Sequence, residues 1–296
     1  MPVRSGLSGH RVAVISYLLI APWLTAAAEI DASALTEVKS RYPEAVEELV
    51  RRAEESLNVG PFSVMDKENV APSGNKHDYF TLSPYHWPNP DTDDGLPYVF
   101  RDGEVNPEAR GSGYDRDAYG KMHDTVRSLS TAYRYTGEER FAQRAALLVR
   151  TWFLDEGTGM TPHLKYAQHV MGSEDQPPWG IIRGGRIVDV DQAIEILRDS
   201  SAWTEADDAA WRAWVSEYLT WLLKSEKGQR EAKALNNHAT WYDVQAASLA
   251  LSCGRVDVAK EILGKVGERR IARQVRPDGR QPMEMFRTKS WDYSVM

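Results

Sequence analysis

Apolar residues recur at intervals of three and four along much of the chain, the spacing that gathers them on one face of a helix. The clearest run follows Thr204, a helix-capping residue with Asp207 three positions on. There Trp211, Trp214, Val215, Tyr218, Leu219 and Leu222 form one stripe and predict an amphipathic helix of about five turns. Similar stripes at Tyr119, Met122, Val126, Leu129 and Tyr133, and at Phe141, Ala145, Leu148, Val149 and Trp152, flank Gly137 and predict a helical hairpin. A second hairpin is expected to pair residues 189–199 with 204–225, and a third to pair 239–252 with 256–272 across Gly254. An earlier helix is predicted from Ala34 to Leu57.

Each hairpin can bury its stripe only against other hairpins, so the pattern predicts an all-α protein, a solenoid or a closed α/α toroid. No repeat is visible between the hairpins, which disfavours a regular solenoid. The intervening segments differ in composition: 61–114 is rich in proline and glycine and carries Tyr79, Tyr85, Trp87 and Tyr98, and 155–187 carries Tyr166, Trp179 and several glycines. Loops of that length in a compact domain are usually functional. Aromatic loops over a helical scaffold suit a sugar-binding rim, although packing explains any one of these rings equally well.

The 296 residues suffice for one large domain, and their balanced composition excludes disorder or a fibrous repeat. The N-terminus is different in kind. Arg4 and Arg11 precede an apolar run from Val12 to Leu24 that ends in Ala26-Ala27-Ala28, which reads as a signal peptide spanning 1–28. The run is shorter than the roughly 20 residues of a membrane span. The expectation is a periplasmic or secreted protein comprising 29–296, monomeric and free of the membrane after cleavage. Export would remove two arginines and no acid from a chain whose net charge is already −7, which argues against a nucleic-acid partner. An acidic polymer could bind only in a local basic cleft that overrides the global sign. Cys253 is the single cysteine and reads as a small core residue, and no His/Cys/carboxylate spacing calls for a metal or another cofactor.

Two clusters carry candidate chemistry. Asn236-Asn237-His238 precedes a predicted helix, and amides with an imidazole at a helix start suit an anionic group. Near the C-terminus, Arg287 offers a fork for a carboxylate and a cation able to lower the pKa of Tyr293.

With these clusters the chain resembles the alginate lyase superfamily of polysaccharide lyases. The matching stretches are Asp78-Tyr79-Phe80, Ser83-Pro84-Tyr85-His86-Trp87-Pro88, Pro162-His163-Leu164-Lys165-Tyr166-Ala167-Gln168, Gly185-Arg186, Asn236-Asn237-His238, and the run from Pro277-Asp278-Gly279-Arg280-Gln281 to Tyr293. The resemblance implies an incomplete α/α toroid with a tunnel-like cleft, and Asn237, His238, Arg287 and Tyr293 as catalytic residues. Tyr79, Tyr85, Trp87, Lys165, Tyr166, Gln168, Arg186 and Asn236 are expected to bind an acidic polysaccharide. Family members continue past this tyrosine with further helices, so a chain with Met296 three residues after Tyr293 is expected to be incomplete at its C-terminus.

The implied reaction is β-elimination on a uronate polymer, alginate (polymannuronate) or glucuronan. Removing the C5 proton requires neutralising the adjacent carboxylate and stabilising an enolate-like dianion, the task for Asn237, His238 and Arg287. In mannuronate and glucuronate the C5 proton and the departing O4 share a ring face, so Tyr293 can serve as both base and acid. In guluronate they lie on opposite faces and His238 would have to be the base. Two alternatives differ in class. One is a uronate-binding remnant without turnover, and the other is a toroid glycoside hydrolase drawing two acids from Asp78, Asp115, Asp117 and Glu284.

Overall fold

The computed structural model describes residues 34–295; the expected signal peptide lies outside them. The chain divides into two compact units, Met1–Glu54 and Glu55–Met296, with the boundary inside α1 (Pro43–Ser56). The single helix expected from Ala34 to Leu57 is in fact two, because helix over 34–41 stops at Tyr42 and α1 starts at Pro43. Proline lacks the N–H needed inside a helix and disfavours helical backbone in the residue before it.

The second unit is mostly helical and of the α/α toroid type. Its longer helices are α2 (Asp115–Thr136), α3 (Glu139–Val149), α4 (Gly185–Leu197), α5 (Glu205–Lys224), α6 (Glu226–Ala232), α7 (Asn237–Ser252) and α8 (Val256–Gly264). The first predicted hairpin forms as expected. Gly137 takes a left-handed φ of 72°, which glycine adopts without a Cβ clash, and its N–H closes α2 on Tyr133 O at 2.7 Å. A π-helical turn, Arg150–Leu154, carries Trp152 and Phe153 beyond α3 into the core.

The pairing of 189–199 with 204–225 needs correction. Side chains join α4 to α5, through Trp211 Nε1 on Asp191 (2.8 Å) and Arg198 on Asp208 (2.7 Å), but α4 packs its length against α2 and α7, and α5 packs against α7. The cause lies in which positions α4 buries. Ile187, Val188, Val190, Ala193, Ile194 and Leu197 are all buried and spread around the helix, so it takes neighbours on more than one side. Helix α7 likewise buries residues on several faces and packs on α4, α5, α6 and α8, which makes the third hairpin one contact among several. Along α5, Trp211, Trp214 and Tyr218 stack with ring centroids 5.7 and 5.6 Å apart and form an aromatic spine. Cys253 is half-buried at the end of α7 rather than in the core.

The long loops are more ordered than their composition suggested. Strand β1 (Phe80–Leu82) pairs in parallel with β4 (Tyr166–His169), and β2 (His86–Trp87) pairs antiparallel with β3 (Val99–Phe100). A buried ion pair, Lys67 with Asp115 at 3.1 Å, ties the first loop to the start of α2, and Asp115 also accepts the Phe80 N–H at 2.7 Å. Burial pushes the Asp115 carboxyl up to about 7, against the pull of Lys67. A 3-10 turn, Trp179–Gly184, slides between β4 and α7 because it carries glycine at the contact points. A Cβ on Gly180 would collide with Ala167 O, and one on Gly184 with Gln245 Oε1 and the Tyr218 hydroxyl. That turn holds Trp179 and Arg183 at the cleft described next. Among the described residues, no helix is long and apolar enough to cross a membrane.

Candidate active site

A cleft of about 750 Å³ gathers side chains from five parts of the chain: Ser83–Asp102, Arg110 with Arg116, Trp179–Arg183, and the stretches around Glu231–His238 and Phe286–Tyr293. Its lining includes five cations, Arg110, Arg116, Arg183, Arg287 and Lys289, against two carboxylates, Asp102 and Glu231. In a protein of net charge −7 this is a local reversal of sign.

Of the four expected catalytic residues, three line this cleft: His238, Arg287 and Tyr293. Tyr293 stands on a short C-terminal helix, Ser290–Ser294, with its hydroxyl 3.2 Å from that of Tyr85 and the Arg287 guanidinium 4.6 Å from its ring centroid. The segment is anchored by Asp102, which accepts Arg287 Nη2 at 2.8 Å, Arg287 Nε at 3.1 Å, and the Thr288 hydroxyl at 2.6 Å. Arg287 holds the Asp102 carboxyl well below the usual carboxylate range, against the opposing effect of burial. The phenol of Tyr293 moves in the direction opposite to the expectation from its neighbouring cation. Burial, then the hydrogen bond with Tyr85, push its pKa well above the ordinary value and outweigh the lowering by Arg287.

His238 sits in the first turn of α7, where its Nδ1 lies 2.7 Å from Glu231 Oε1. Glu231 is buried on α6, and its Oε2 has no hydrogen-bond partner among the described residues. With Nδ1 held by a carboxylate, the ring orientation is fixed and Nε2 is the nitrogen left for a ligand. Close by, Lys227 is pushed down to about 8 by burial, with Glu231 pulling the other way.

Asn237 does not line the cleft; Asn236 does. Glu284 Oε1 accepts both the Asn237 backbone N–H (2.5 Å) and its side-chain Nδ2 (2.8 Å). This buried carboxylate thus supplies the cap for α7 that Asn236, which makes no side-chain cap bond, does not.

Among the expected binding residues, Tyr85, Gln168 and Asn236 line the cleft. Gln168 has a φ of 51°, left-handed and costly for a non-glycine residue, and its N–H is held by the Thr81 hydroxyl at 2.8 Å. Tyr79 and Arg186 belong instead to an adjoining pocket of about 290 Å³. Trp87, Lys165 and Tyr166 line neither. Trp87 donates to Glu104 O at 3.0 Å under the Arg101 guanidinium, and Lys165 lies over the Tyr166 ring. These contacts lie within the loops, as the packing alternative expects.

Sequence reasoning missed Asp102, Glu231, Arg110, Arg116, Arg183 and Lys289 as cleft residues, whereas Trp179 lies in the aromatic loop expected to form a sugar-binding rim. Asp102 and Glu231 carry no local signal, because each matters only through a partner distant in sequence or on the next helix. The acids a hydrolase would have needed are committed elsewhere: Asp78 to Ser73 and Thr161, Asp115 to Lys67, Asp117 to the Gly111 N–H, and Glu284 to Asn237. No group of three or more metal-ligating side chains occurs among the described residues.

Comparison with known proteins identifies the family. The family described as alginate lyase matches residues 63–296. The fold is similar to the crystal structure of an alginate lyase from Bacteroides ovatus, with a TM-score of 0.84 and 37% identity over 88% of this chain and 70% of that one. No curated protein gives a match. The chain belongs to the alginate lyase family and is a polysaccharide lyase.

Proposed function

We propose that this protein cleaves a uronate polymer, polymannuronate or glucuronan, by β-elimination at the Tyr293 end of the basic cleft. The observation that carries the reading is the meeting of Tyr293, Tyr85, Arg287 and His238 on one cleft lined by five cations. The substrate carboxylate lies against Arg287, whose charge lowers the cost of the enolate-like dianion, and against the His238 ring. Asn237 lies off the cleft lining and contributes by its bonds to Glu284, which hold the start of α7 beside His238. The Tyr293 phenolate takes the C5 proton, the C5–H electrons form the C4–C5 double bond, and O4 departs with the C4–O4 pair. The same proton then passes from Tyr293 to O4, which restores the phenolate.

A raised Tyr293 pKa in the free protein sharpens this scheme. The base form is scarce near neutrality, so turnover depends on alkaline pH or on a further lowering once substrate displaces water. The two cleft carboxylates, Asp102 and Glu231, are both engaged by site residues, which favours elimination over two-acid hydrolysis. Export with loss of residues 1–28 is part of the same reading, since polymers of this kind are met outside the cytoplasm.

The test is incubation with polymannuronate, polyguluronate and glucuronan separately, following ultraviolet absorbance of unsaturated uronate ends. Product from polymannuronate or glucuronan is expected. Cleavage of polyguluronate alone would transfer the base role to His238, and binding without product would identify a non-catalytic uronate-binding protein.

A further inference from the structure

The short helix α6 stands behind the part of the cleft wall that carries His238, and it is pinned at both ends. A Cβ on Gly228 would collide with Leu222 O, so α6 lies tight against the end of α5, and the Ser225 hydroxyl accepts the Gly228 N–H at 3.0 Å. At the other end Arg270 Nη1 donates to Ala232 O at 2.9 Å, and Arg230 is engaged by Asp175 at 2.7 Å. Lys227 and Glu231, four positions apart, fall on one face of this helix. Glu231 Oε1 holds His238 Nδ1, while Lys227 Nζ donates to Lys165 O at 2.7 Å and to Ala167 O at 3.4 Å, just ahead of Gln168.

Neither charge on that face is balanced by a contact of its own. Glu231 is 1% exposed and its Oε2 has no hydrogen-bond partner, whereas the Lys227 ammonium bonds to carbonyls and to no carboxylate among the described residues. Burial works against the Lys227 proton, and Glu231 is the strongest influence keeping it on, opposed by Arg230 and Lys165. His169 on β4 is the remaining titratable neighbour. Its Nδ1 is buried without a partner, and burial, then Lys227, lower its pKa and favour the uncharged ring. A buried carboxylate with an idle oxygen is costly unless a cation compensates it. With Arg230 spent on Asp175 and His169 uncharged, Lys227 is the cation that α6 itself supplies.

We propose that Lys227 is a positioning residue for the elimination: its charge steadies the buried Glu231 carboxylate, which in turn holds the His238 ring toward the substrate carboxylate. The proposal rests on the elimination reading above. The coupling acts through space, as a water-poor interior of low effective dielectric permits beyond contact distance. Without the ammonium, Glu231 can relieve its burial only by taking up a proton. A neutral carboxyl would then offer His238 Nδ1 a donor in place of an acceptor, and the ring would present the wrong tautomer to the cleft.

The experiment is a double-variant cycle with Lys227→Met, Glu231→Gln and the two combined, measuring kcat and KM on whichever of polymannuronate and glucuronan gives unsaturated product. NMR spectra of the ligand-free proteins with labelled histidine accompany it. Lys227→Met should lower kcat about fivefold with little change in KM, yet add less than about twofold once Glu231 is glutamine, because residues acting through one another are not additive. The His238 Nδ1 resonance of Lys227→Met should move toward that of Glu231→Gln. Lys227→Gln keeps a donor for the two carbonyls without the charge, and should lose as much kcat as Lys227→Met; wild-type kcat there would assign the effect to the carbonyl bonds and overturn the proposal. Losses that multiply in the combined variant would give Lys227 a role in the fold alone. A raised KM at unchanged kcat would place its action on the Gln168 wall, and also overturn it. If no polymer yields unsaturated product while the His238 resonance still moves, the elimination reading fails and the coupling stands. Product with an unmoved resonance is the reverse, and sinks the coupling alone.

Discussion

The two ends of the basic region are built on opposite principles. Around Tyr293 the residues expected to act have built-in carboxylate partners, Arg287 with Asp102 and His238 with Glu231, and Asn237 next to His238 has Glu284. Around Arg116 the balance of charge is similar, but Arg116 Nη1 and the Tyr79 and Tyr119 hydroxyls are buried with no hydrogen-bond partner among the described residues. Paired groups are held in one orientation before substrate arrives, which is what a transition state demands, since reorganisation during the reaction raises the barrier. Unpaired groups cost stability until an anion binds, which is what a recognition site tolerates. The difference separates residues expected to govern kcat from residues expected to govern affinity.

The largest effect should come from removing the proton carrier. Tyr293→Phe deletes only the hydroxyl, so turnover of the preferred polymer should fall by at least about 10²–10⁴ while oligomer binding persists, read by initial rates and calorimetry. A near wild-type rate would remove Tyr293 from the mechanism.

Next come the orienting carboxylates. His238→Ala should cost about 10²–10³ in kcat, the usual range for one donor to a developing anion. Glu231→Gln keeps a partner on Nδ1 but removes its charge, so a smaller loss of about tenfold in kcat with little change in KM is expected, a fraction of the roughly 1.5–3 kcal/mol of a charge-assisted bond. Equal losses in binding and rate would blur the contrast between the two ends.

The smallest effect is a displacement along the pH axis. The hydrogen bond with Tyr85 is one of the causes that raise the Tyr293 pKa, so Tyr85→Phe should lower it. The base form is the deprotonated one, and kcat/KM should therefore climb with pH toward the folded-state pKa. In Tyr85→Phe that limb should shift to lower pH. A shift to higher pH would show that Tyr85 stabilises the phenolate rather than the phenol.

Much of this was legible in the sequence, and the limits have physical causes. The stripes of α2, α3 and α5 specify helices because each buries one face, and periodicity reports a one-sided burial directly. The same signal misled for α4, whose buried residues surround it, so the partner could not be deduced from a neighbouring stripe. The motifs Asn236-Asn237-His238 and Arg287 to Tyr293 marked the chemistry, since unusual side chains in a short run survive any folding. Their carboxylate partners did not show, because an aspartate at 102 looks like any loop acid until the fold sets it 2.8 Å from Arg287, 185 positions away. The sign of the Tyr293 shift depended likewise on how deeply the phenol is buried and on Tyr85 beside it. The sequence determined which residues could do the chemistry and that helices would carry them. Tertiary structure alone decided which charges are cancelled and which are left for a ligand, because electrostatic pairing is a matter of distance and burial, and neither is written in local order along the chain.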